Sequence, residues 1–96
     1  MALKRVLTVE IKNDFEMIFN YIAFILFNPT AAENLINRFH LAIQNACNFP
    51  NIYPQYKSYR KIVVDNYLMF YKMNKEQDTL IFHRAIYGGM DYPRFI

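Results

Sequence analysis

Hydrophobic positions in the second half of the chain form three runs separated by two short polar joints. The runs are rich in Ile, Val, Tyr and Phe, and they cover Tyr59–Val64, Tyr67–Met73 and Thr79–Tyr87. Such residues favour strands, while the joints Asp65-Asn66 and Asn74–Asp78 contain residues typical of turns. Strands joined by links this short have to be antiparallel neighbours. The pattern therefore predicts a three-stranded antiparallel meander.

Two stretches in the first half repeat hydrophobic residues at intervals of three and four, which predicts two amphipathic helices. The apolar stripes are Ile11, Phe15, Ile18, Ile22 and Ile25 in the first stretch, and Ala32, Leu35, Ile36, Phe39, Ala42, Ile43 and Ala46 in the second. Either Thr8 or Asn13-Asp14 could cap the first helix. Asn28-Pro29 ends it and suits the start of the second, with Thr30–Glu33 as an alternative capping box. Because the link is short, we expect an antiparallel helical hairpin.

The remaining segments complete the order of elements. Leu3–Val9 is either a first strand or the lead-in to a helix, and we favour a strand that joins the sheet. Asn48–Ser58 contains two prolines and is expected to be a loop, while Gly88-Gly89 ends the last strand. The order β-α-α-β-β-β predicts an α+β fold, in which a helical hairpin backs a small antiparallel sheet. At this length, residues 1–96 are expected to form a single domain.

The predicted core lies between the helical hairpin and the sheet. We expect the residues of the two helix stripes and of the strands that face each other there to be mostly buried. They are Ile18, Ile22, Leu35, Phe39, Ile43, Val64 and Phe70.

Composition narrows the class of protein. Hydrophobic residues make up 54% of the chain and aromatic residues 18%, which argues against disorder and leaves apolar surface for a partner. No apolar run has the length of a membrane span, and the N-terminus does not resemble a signal peptide. A lone cysteine, Cys47, fits a reducing compartment. We therefore expect a cytoplasmic protein that does not bind a membrane.

The net charge of +3 arises entirely in the second half of the chain. Residues 1–48 contain four Lys or Arg and four Asp or Glu, whereas residues 49–96 contain seven against four. A basic sheet could contact an acidic protein or a nucleic acid. Ordinary solvated charge is the alternative interpretation.

Few residues suggest chemistry of their own. His83 lies in the middle of a strand without an obvious acidic partner, and His40 lies beside a helix stripe. The two histidines and the cysteine are too far apart for a metal-ligand motif, and no phosphate-binding glycine loop or nucleophile elbow is present. We expect no metal and no cofactor. Arg84 either pairs with Asp91 or Asp65 in a structural role, or binds a target.

Five segments, which occur in this order from about residue 8 to Pro93, resemble the RelE/ParE superfamily of toxins from bacterial type II toxin–antitoxin modules. They are DFEMIFNYIAF at 14–24, NPTAAENLINRF at 28–39, NFP at 48–50, YRKIVVDNYLMFYKM at 59–73 and IFHRAIYGGMDYP at 81–93. The resemblance implies a small antiparallel sheet backed by a helical hairpin, as the periodicity also predicts. It implies one of two activities, which are cleavage of messenger RNA in the ribosomal A site and poisoning of DNA gyrase.

Three positions that are basic in RelE-like ribonucleases distinguish the two activities. Lys61 matches one of them, but the other two are occupied by Leu68 and Met90, which cannot donate to a phosphate. The ParE-like branch is favoured by the Asn-Pro link and by Tyr-Arg-Lys at 59–61 with Asn-Tyr at 66–67. Two arginines of that branch are replaced by Gly89 and Met90.

The resemblance therefore predicts a ParE-like toxin for plasmid stabilisation that inhibits DNA gyrase by binding and is neutralised by a cognate antitoxin. The antitoxin is expected to lay an acidic amphipathic segment over the hairpin and a sheet edge. Target-binding candidates are Arg60, Lys61, Arg84, Tyr87, Asp91 and Tyr92. The alternatives are a ribosome-dependent endoribonuclease that cleaves mRNA, or a degenerate family member without toxicity. The ribonuclease would use Lys61, His83, Arg84 and Tyr87.

Overall fold

The computed structural model describes residues 2–89 and 92–94, arranged as two helices against one face of a five-stranded sheet. The strands are β1 (Lys4–Leu7), β2 (Gln55–Tyr56), β3 (Tyr59–Val64), β4 (Tyr67–Asn74) and β5 (Thr79–Tyr87). The helices are α1 (Val9–Asn20), which continues as a π-helical segment (Tyr21–Ile25), and α2 (Pro29–Asn48). Short 3₁₀ turns cover Lys75–Gln77 and Tyr92–Arg94. No helix among the described residues is long and apolar enough to cross a bilayer.

Side-chain caps fix the start of each helix. The Thr8 hydroxyl oxygen accepts a hydrogen bond from the Ile11 N–H at 3.1 Å, so Thr8 caps α1. The Asn28 side chain accepts from the Ala31 N–H at 3.1 Å, with Pro29 at the first helical position. Asn28 is therefore the cap of α2, and the alternative capping box at Thr30 is not used.

The link between the helices is a tight reversal with an unusual backbone. The Leu26 N–H donates to the Tyr21 carbonyl and the Asn28 N–H donates to the Ile22 carbonyl, both at 3.0 Å. Phe27 adopts φ +54°, the left-handed conformation that glycine usually supplies at a helix end. Phe27 is 86% exposed, so an aromatic side chain in a strained backbone projects into solvent at the tip of the hairpin.

The sheet has the order β1-β5-β4-β3-β2 and contains the predicted meander as β3, β4 and β5. The α+β fold is confirmed, with two refinements. β1 joins the sheet as predicted but pairs parallel with β5, so the sheet is mixed. The chain passes through both helices and through β2, β3 and β4 before β5 lies beside β1. The two-residue strand β2 lies inside the predicted loop, and it is too short to produce an alternating pattern.

The main core fills the space between the helices and the sheet. Leu35, Phe39, Ile43 and Val64 are buried there, as predicted. The other members are Ile11, Phe15, Ala46, Cys47, Ile62, Met69, Tyr71, Leu80, Phe82 and Ala85. Ile18 and Ile22 were also expected to be mostly buried, but they are only partly buried, at the margin of this core.

The predicted location of Phe70 is wrong. Phe70 is fully buried, but on the opposite face of the sheet, in a second cluster with Leu68 and Ile86. The cause is the alternation of β4, because Met69 and Tyr71 point into the main core and Phe70 between them must point away. Tyr56 and Tyr59 pack over this second cluster. We call the face that carries it the outer face.

Candidate functional site

A groove of about 1000 Å³ opens on the helix side of the sheet, between the C-terminal half of the first helix, the start of α2 and the end of β5. Its wall is mainly apolar. The apolar and aromatic lining residues are Met17, Ile18, Tyr21, Ile22, Leu26, Ala31, Leu35, Tyr67, Ala85, Ile86 and Tyr87. The partial burial of Ile18 and Ile22 is thus explained, since both face this open space.

Aromatic rings form one wall of the groove. The rings of Tyr67 and Tyr87 meet edge to face, with centroids 5.7 Å apart. Burial, followed by the neighbouring hydroxyls of Tyr21 and Tyr87, raises the pKa of Tyr67. The exposed apolar surface continues beyond the groove to the tip of the hairpin, where Phe24, Ile25, Leu26 and Phe27 are all more than half exposed. Such a continuous apolar surface is typical of an interaction site.

Two ion pairs border the groove. The Arg38 guanidinium donates to the Asp65 carboxylate, and both side chains are about half exposed. The second pair is deeper: Arg84 Nε lies 2.8 Å from Asp14 Oδ2, and Arg84 Nη2 lies 3.1 Å from Asp14 Oδ1. The hydrogen bond to Asp14 raises the pKa of Arg84, although burial acts in the opposite direction. Arg84 is therefore paired with Asp14 and not with Asp65.

A β-bulge explains why sequence parity did not identify the core face of β5. Tyr71 lies opposite Phe82, but Phe70 lies opposite Arg84, so His83 and Arg84 together face one residue of β4. The alternation therefore shifts by one: Leu80 and Phe82 before the bulge, and Ala85 after it, all reach the main core.

The start of the first helix holds the bulged segment in place. β1 ends opposite Phe82, so the next part of β5 has no strand on that side. The Thr8 hydroxyl donates to the His83 carbonyl at 2.8 Å, and the Asp14 carboxylate accepts from the Ala85 N–H at 3.0 Å. These two contacts satisfy backbone groups that a strand would otherwise pair.

The outer face carries lysines over aromatic rings. Lys72 Nζ lies 4.3 Å from the centroid of the Tyr59 ring, and Lys61 Nζ lies 5.6 Å from that of Tyr56. The imidazole of His83 meets the Tyr59 ring edge to face at 5.2 Å. Burial, followed by the charge of Lys72, lowers the pKa of His83, with Glu10 opposing. The lowered pKa favours the neutral form of the His83 imidazole, which lies near the Lys72 ammonium group.

The candidate residues from the sequence therefore separate into two groups. Lys61 and His83 lie on the outer face, whereas Arg84 and Tyr87 border the groove. Arg60 belongs to neither group. Its guanidinium donates to the Tyr53 carbonyl at 2.6 Å and to Asn51, and so holds the loop before β2. The side chain of Tyr92 and both Met90 and Asp91 lie outside the described residues.

Comparison with protein families identifies a match over almost the whole chain. The model of the family described as "ParE toxin of type II toxin-antitoxin system, parDE" matches residues 6–92. The chain belongs to the ParE toxin family. No curated protein sequence matches it significantly. The membership agrees with the branch of the superfamily that the Asn-Pro link and the Tyr-Arg-Lys sequence favoured.

Two solved structures share the fold of this ParE-family chain. A chromosomal ParDE toxin–antitoxin system from P. aeruginosa superposes with a TM-score of 0.74 at 10% identity, covering 90% of this chain and 96% of that one. The toxin–antitoxin complex RelBE2 from Mycobacterium tuberculosis gives a TM-score of 0.59 at 11% identity, covering 91% and 99%. At such identities the likeness shows the fold alone.

Three residues of the ParE-family site were missed from the sequence. Asp14 is separated from Arg84 by 70 positions, and no local pattern connects them. Lys72 and Tyr59 could have been paired, because the two-residue turn at Asp65-Asn66 places Tyr71 opposite Arg60 and hence Lys72 beside Tyr59. The described part of the chain contains no cluster of three or more His, Cys, Asp or Glu that could hold a metal ion.

Proposed function

We propose that this ParE-family chain is a growth-arresting toxin of a plasmid-stabilising type II module, that it acts in the cytoplasm by binding DNA gyrase, and that a cognate antitoxin neutralises it. Membership of the ParE toxin family supports the class of protein. The observation that carries the proposal is the apolar groove of about 1000 Å³ with its exposed extension to the hairpin tip. A surface of this kind needs a protein partner to cover it.

An amphipathic helix of the antitoxin is the occupant that fits the groove best. Helix-in-groove recognition places apolar residues at intervals of three and four into an apolar channel. The groove of this chain offers such a channel, with the Arg38–Asp65 pair at its border as a polar contact. Acidic groups on the antitoxin could then reach Arg38.

Binding without cleavage is supported by the state of the cationic groups. Phosphodiester cleavage develops negative charge that needs preorganised cationic donors, and the loss of one donor commonly costs about a hundredfold in rate. Arg84 is held by Asp14 on the helix side, and Leu68 is buried in the outer-face cluster. Neither residue 84 nor residue 68 therefore supplies a guanidinium to the outer face.

The gyrase proposal is tested with purified protein in a gyrase–DNA cleavage assay. We expect the wild type to stabilise gyrase–DNA breaks, and we expect Lys61→Ala to weaken this effect. Lys75→Ala is the matched control, because it removes one lysine from an exposed turn on the same sheet. Wild-type protein that leaves gyrase unaffected at all concentrations would contradict the proposal.

A ribonuclease is the second candidate, and one observation favours it. His83, whose pKa is lowered, lies next to Lys72 and Tyr59, with Lys61 on the same face. A neutral histidine beside a cation could remove a proton from a ribose 2′-hydroxyl. We expect no codon-specific mRNA cleavage on programmed ribosomes. Robust cleavage by the wild type that is lost in His83→Ala would favour the ribonuclease instead.

The antitoxin contact is tested separately from toxicity. Ala31→Arg places a long charged side chain in the groove, and Asn34→Arg, exposed on the same helix and outside the groove lining, is its control. We expect Ala31→Arg to remain toxic but to escape neutralisation by the antitoxin, while Asn34→Arg stays neutralised. Equal neutralisation of both variants would place the antitoxin elsewhere.

A further inference from the structure

The last part of β3 forms an open edge of the sheet. β2 pairs only with Tyr59 and Arg60, so no strand of the described chain lies beside residues 61–64 on that side. The Lys61 N–H points outward there and donates to the Pro54 carbonyl at 2.9 Å. Because alternate residues of a strand face the same side, the N–H and carbonyl groups of Val63 also point outward. Val63 is therefore the position at which another strand could pair with this edge.

A hollow of about 310 Å³ lies beside this edge, between β3 and α2. Leu41 and Val63 line it, and their side chains are 69% and 65% exposed. The charged residues of its lining are Arg38 and Asp65, which already pair with each other. Two copies of the chain could therefore bring this surface together, cover both apolar side chains and oppose no uncompensated like charges.

The alternate residues of this edge form a self-complementary pattern. Lys61, Val63 and Asp65 follow one another at intervals of two, with a cation at one end and an anion at the other. If two identical strands pair antiparallel about Val63, the two valines lie opposite each other, and Lys61 of each copy lies opposite Asp65 of the other. Opposite charges in such positions stabilise a pair of strands. A parallel pair in the same register would instead oppose like charges.

We propose that the protein forms a two-fold symmetric dimer in which β3 of each copy pairs antiparallel with β3 of the other, about Val63. The Pro54 carbonyl occupies the edge at Lys61, so the paired backbone covers residues 62–64 and the Lys61–Asp65 contacts are between side chains. An interface this small gives a weak dimer that depends on concentration. The linings of the hollow and of the groove share only Arg38 and Asp65, so the apolar wall of the groove stays open to a different partner.

Sedimentation equilibrium of the full chain tests the dimer. We expect the mass to rise from 11.6 kDa toward twice that value as the concentration approaches about 1 mM. Val63→Lys opposes two cations at the two-fold axis and should remain monomeric. Val6→Lys, which changes an exposed valine of the other edge strand, is the matched control and should dimerise like the wild type. A wild type that stays monomeric, or two variants that behave alike, would overturn the proposal.

A cysteine at the two-fold axis tests the register, and this test does not require Val63→Lys to fold. Opposite residues of a hydrogen-bonded antiparallel pair have Cα atoms about 5.5 Å apart, which a disulfide can span. We expect Val63→Cys to form a covalent dimer with oxidised glutathione, and Val6→Cys to remain largely monomeric under the same conditions. The wild type controls for Cys47, which is 1% exposed. Equal cross-linking of both variants, or none in Val63→Cys, would overturn the proposal.

A charge variant tests the contact between Lys61 of one copy and Asp65 of the other. Asp65→Asn removes the anion but keeps a residue type that tolerates φ +52°. We expect the Kd of the dimer to rise about 2- to 30-fold, because two symmetric exposed ion pairs are lost. Arg38→Ala is the matched control, since it also breaks the Arg38–Asp65 pair but leaves the carboxylate available to Lys61, and it should not weaken the dimer. Equal weakening by both variants would refute this register.

Discussion

The Asp14–Arg84 pair gives the sharpest test of how the candidate site is built. The Asp14 carboxylate is 12% exposed and accepts three hydrogen bonds, two from the Arg84 guanidinium and one from the Ala85 N–H. Asp14→Ala would leave a guanidinium that is 29% exposed, together with the Ala85 N–H, without this carboxylate. We predict that Asp14→Ala markedly destabilises the fold.

The size of the effect follows from burial. Breaking a fully buried ion pair costs about 3–5 kcal/mol, and partial exposure of Arg84 reduces this to about 2–4 kcal/mol because solvent screens the remaining charge. For a chain of this size, 1 kcal/mol corresponds to roughly 4–8 °C in Tm. Arg38→Ala breaks the half-exposed pair with Asp65 and should cost at most about 1 kcal/mol, which makes it the matched control.

A double-mutant cycle measured by urea denaturation checks the reasoning. Arg84→Met removes the charge but keeps much of the side-chain volume, so the combined Asp14→Ala, Arg84→Met variant contains no uncompensated charge. We expect the double variant to be more stable than the sum of the single costs predicts, with a coupling of at least about 1.5 kcal/mol. Strictly additive costs would refute the interpretation that the pair acts as one unit.

Three further predictions concern the core, the hairpin tip and pH. Phe39→Ala should lower the free energy of unfolding by about 3–5 kcal/mol, because Phe39 is fully buried against Phe15. Phe49→Ala, at an exposed position, is the control. An unchanged midpoint of urea denaturation for Phe39→Ala would contradict this prediction. Phe27→Gly should raise stability by about 0.5–1 kcal/mol in thermal denaturation, because glycine relieves φ +54°; a lower Tm would refute the strain. The pKa of His83 is lowered on folding, so the free energy of unfolding should fall as pH decreases below about 6.5, where the unfolded chain binds the proton first. In urea denaturation at several pH values, His83→Gln should lack this pH dependence. An identical pH dependence in the wild type and His83→Gln would contradict the prediction.

Much of the fold could be predicted because its signals are local. The helix stripes and the runs of the meander each follow from neighbours a few residues apart, and the cap at Asn28 follows from one dipeptide. The parallel pairing of β1 could not be predicted in the same way, because it depends on where a chain of some seventy residues returns to the sheet. Strand β2 was not predicted because two residues are too few to show an alternating pattern of hydrophobic and polar positions.

The candidate site was less predictable because its decisive feature is a bulge. No glycine or proline lies at His83 and Arg84 to indicate that two residues of β5 face one of β4. A regular strand would have placed Phe82, Arg84 and Ile86 on one face. With the bulge, Phe82 and Ala85 share the main core, Ile86 lies in the outer-face cluster, and Arg84 meets a carboxylate 70 positions away.

Strand β5 decides which chemistry each face of the sheet can support. Adjacent residues of a strand point to opposite faces, so His83 joins Lys72 and Tyr59 on the outer face while Arg84 pairs with Asp14 beside the groove. A ribonuclease that needs both side chains around one phosphate would have to break the ion pair and turn Arg84 to the outer face. A toxin that binds its target requires neither change. If His83→Ala alters activity while Asp14→Ala alters only stability, the outer face is the surface that binds the target. If Asp14→Ala alters activity while His83→Ala does not, the groove binds the target.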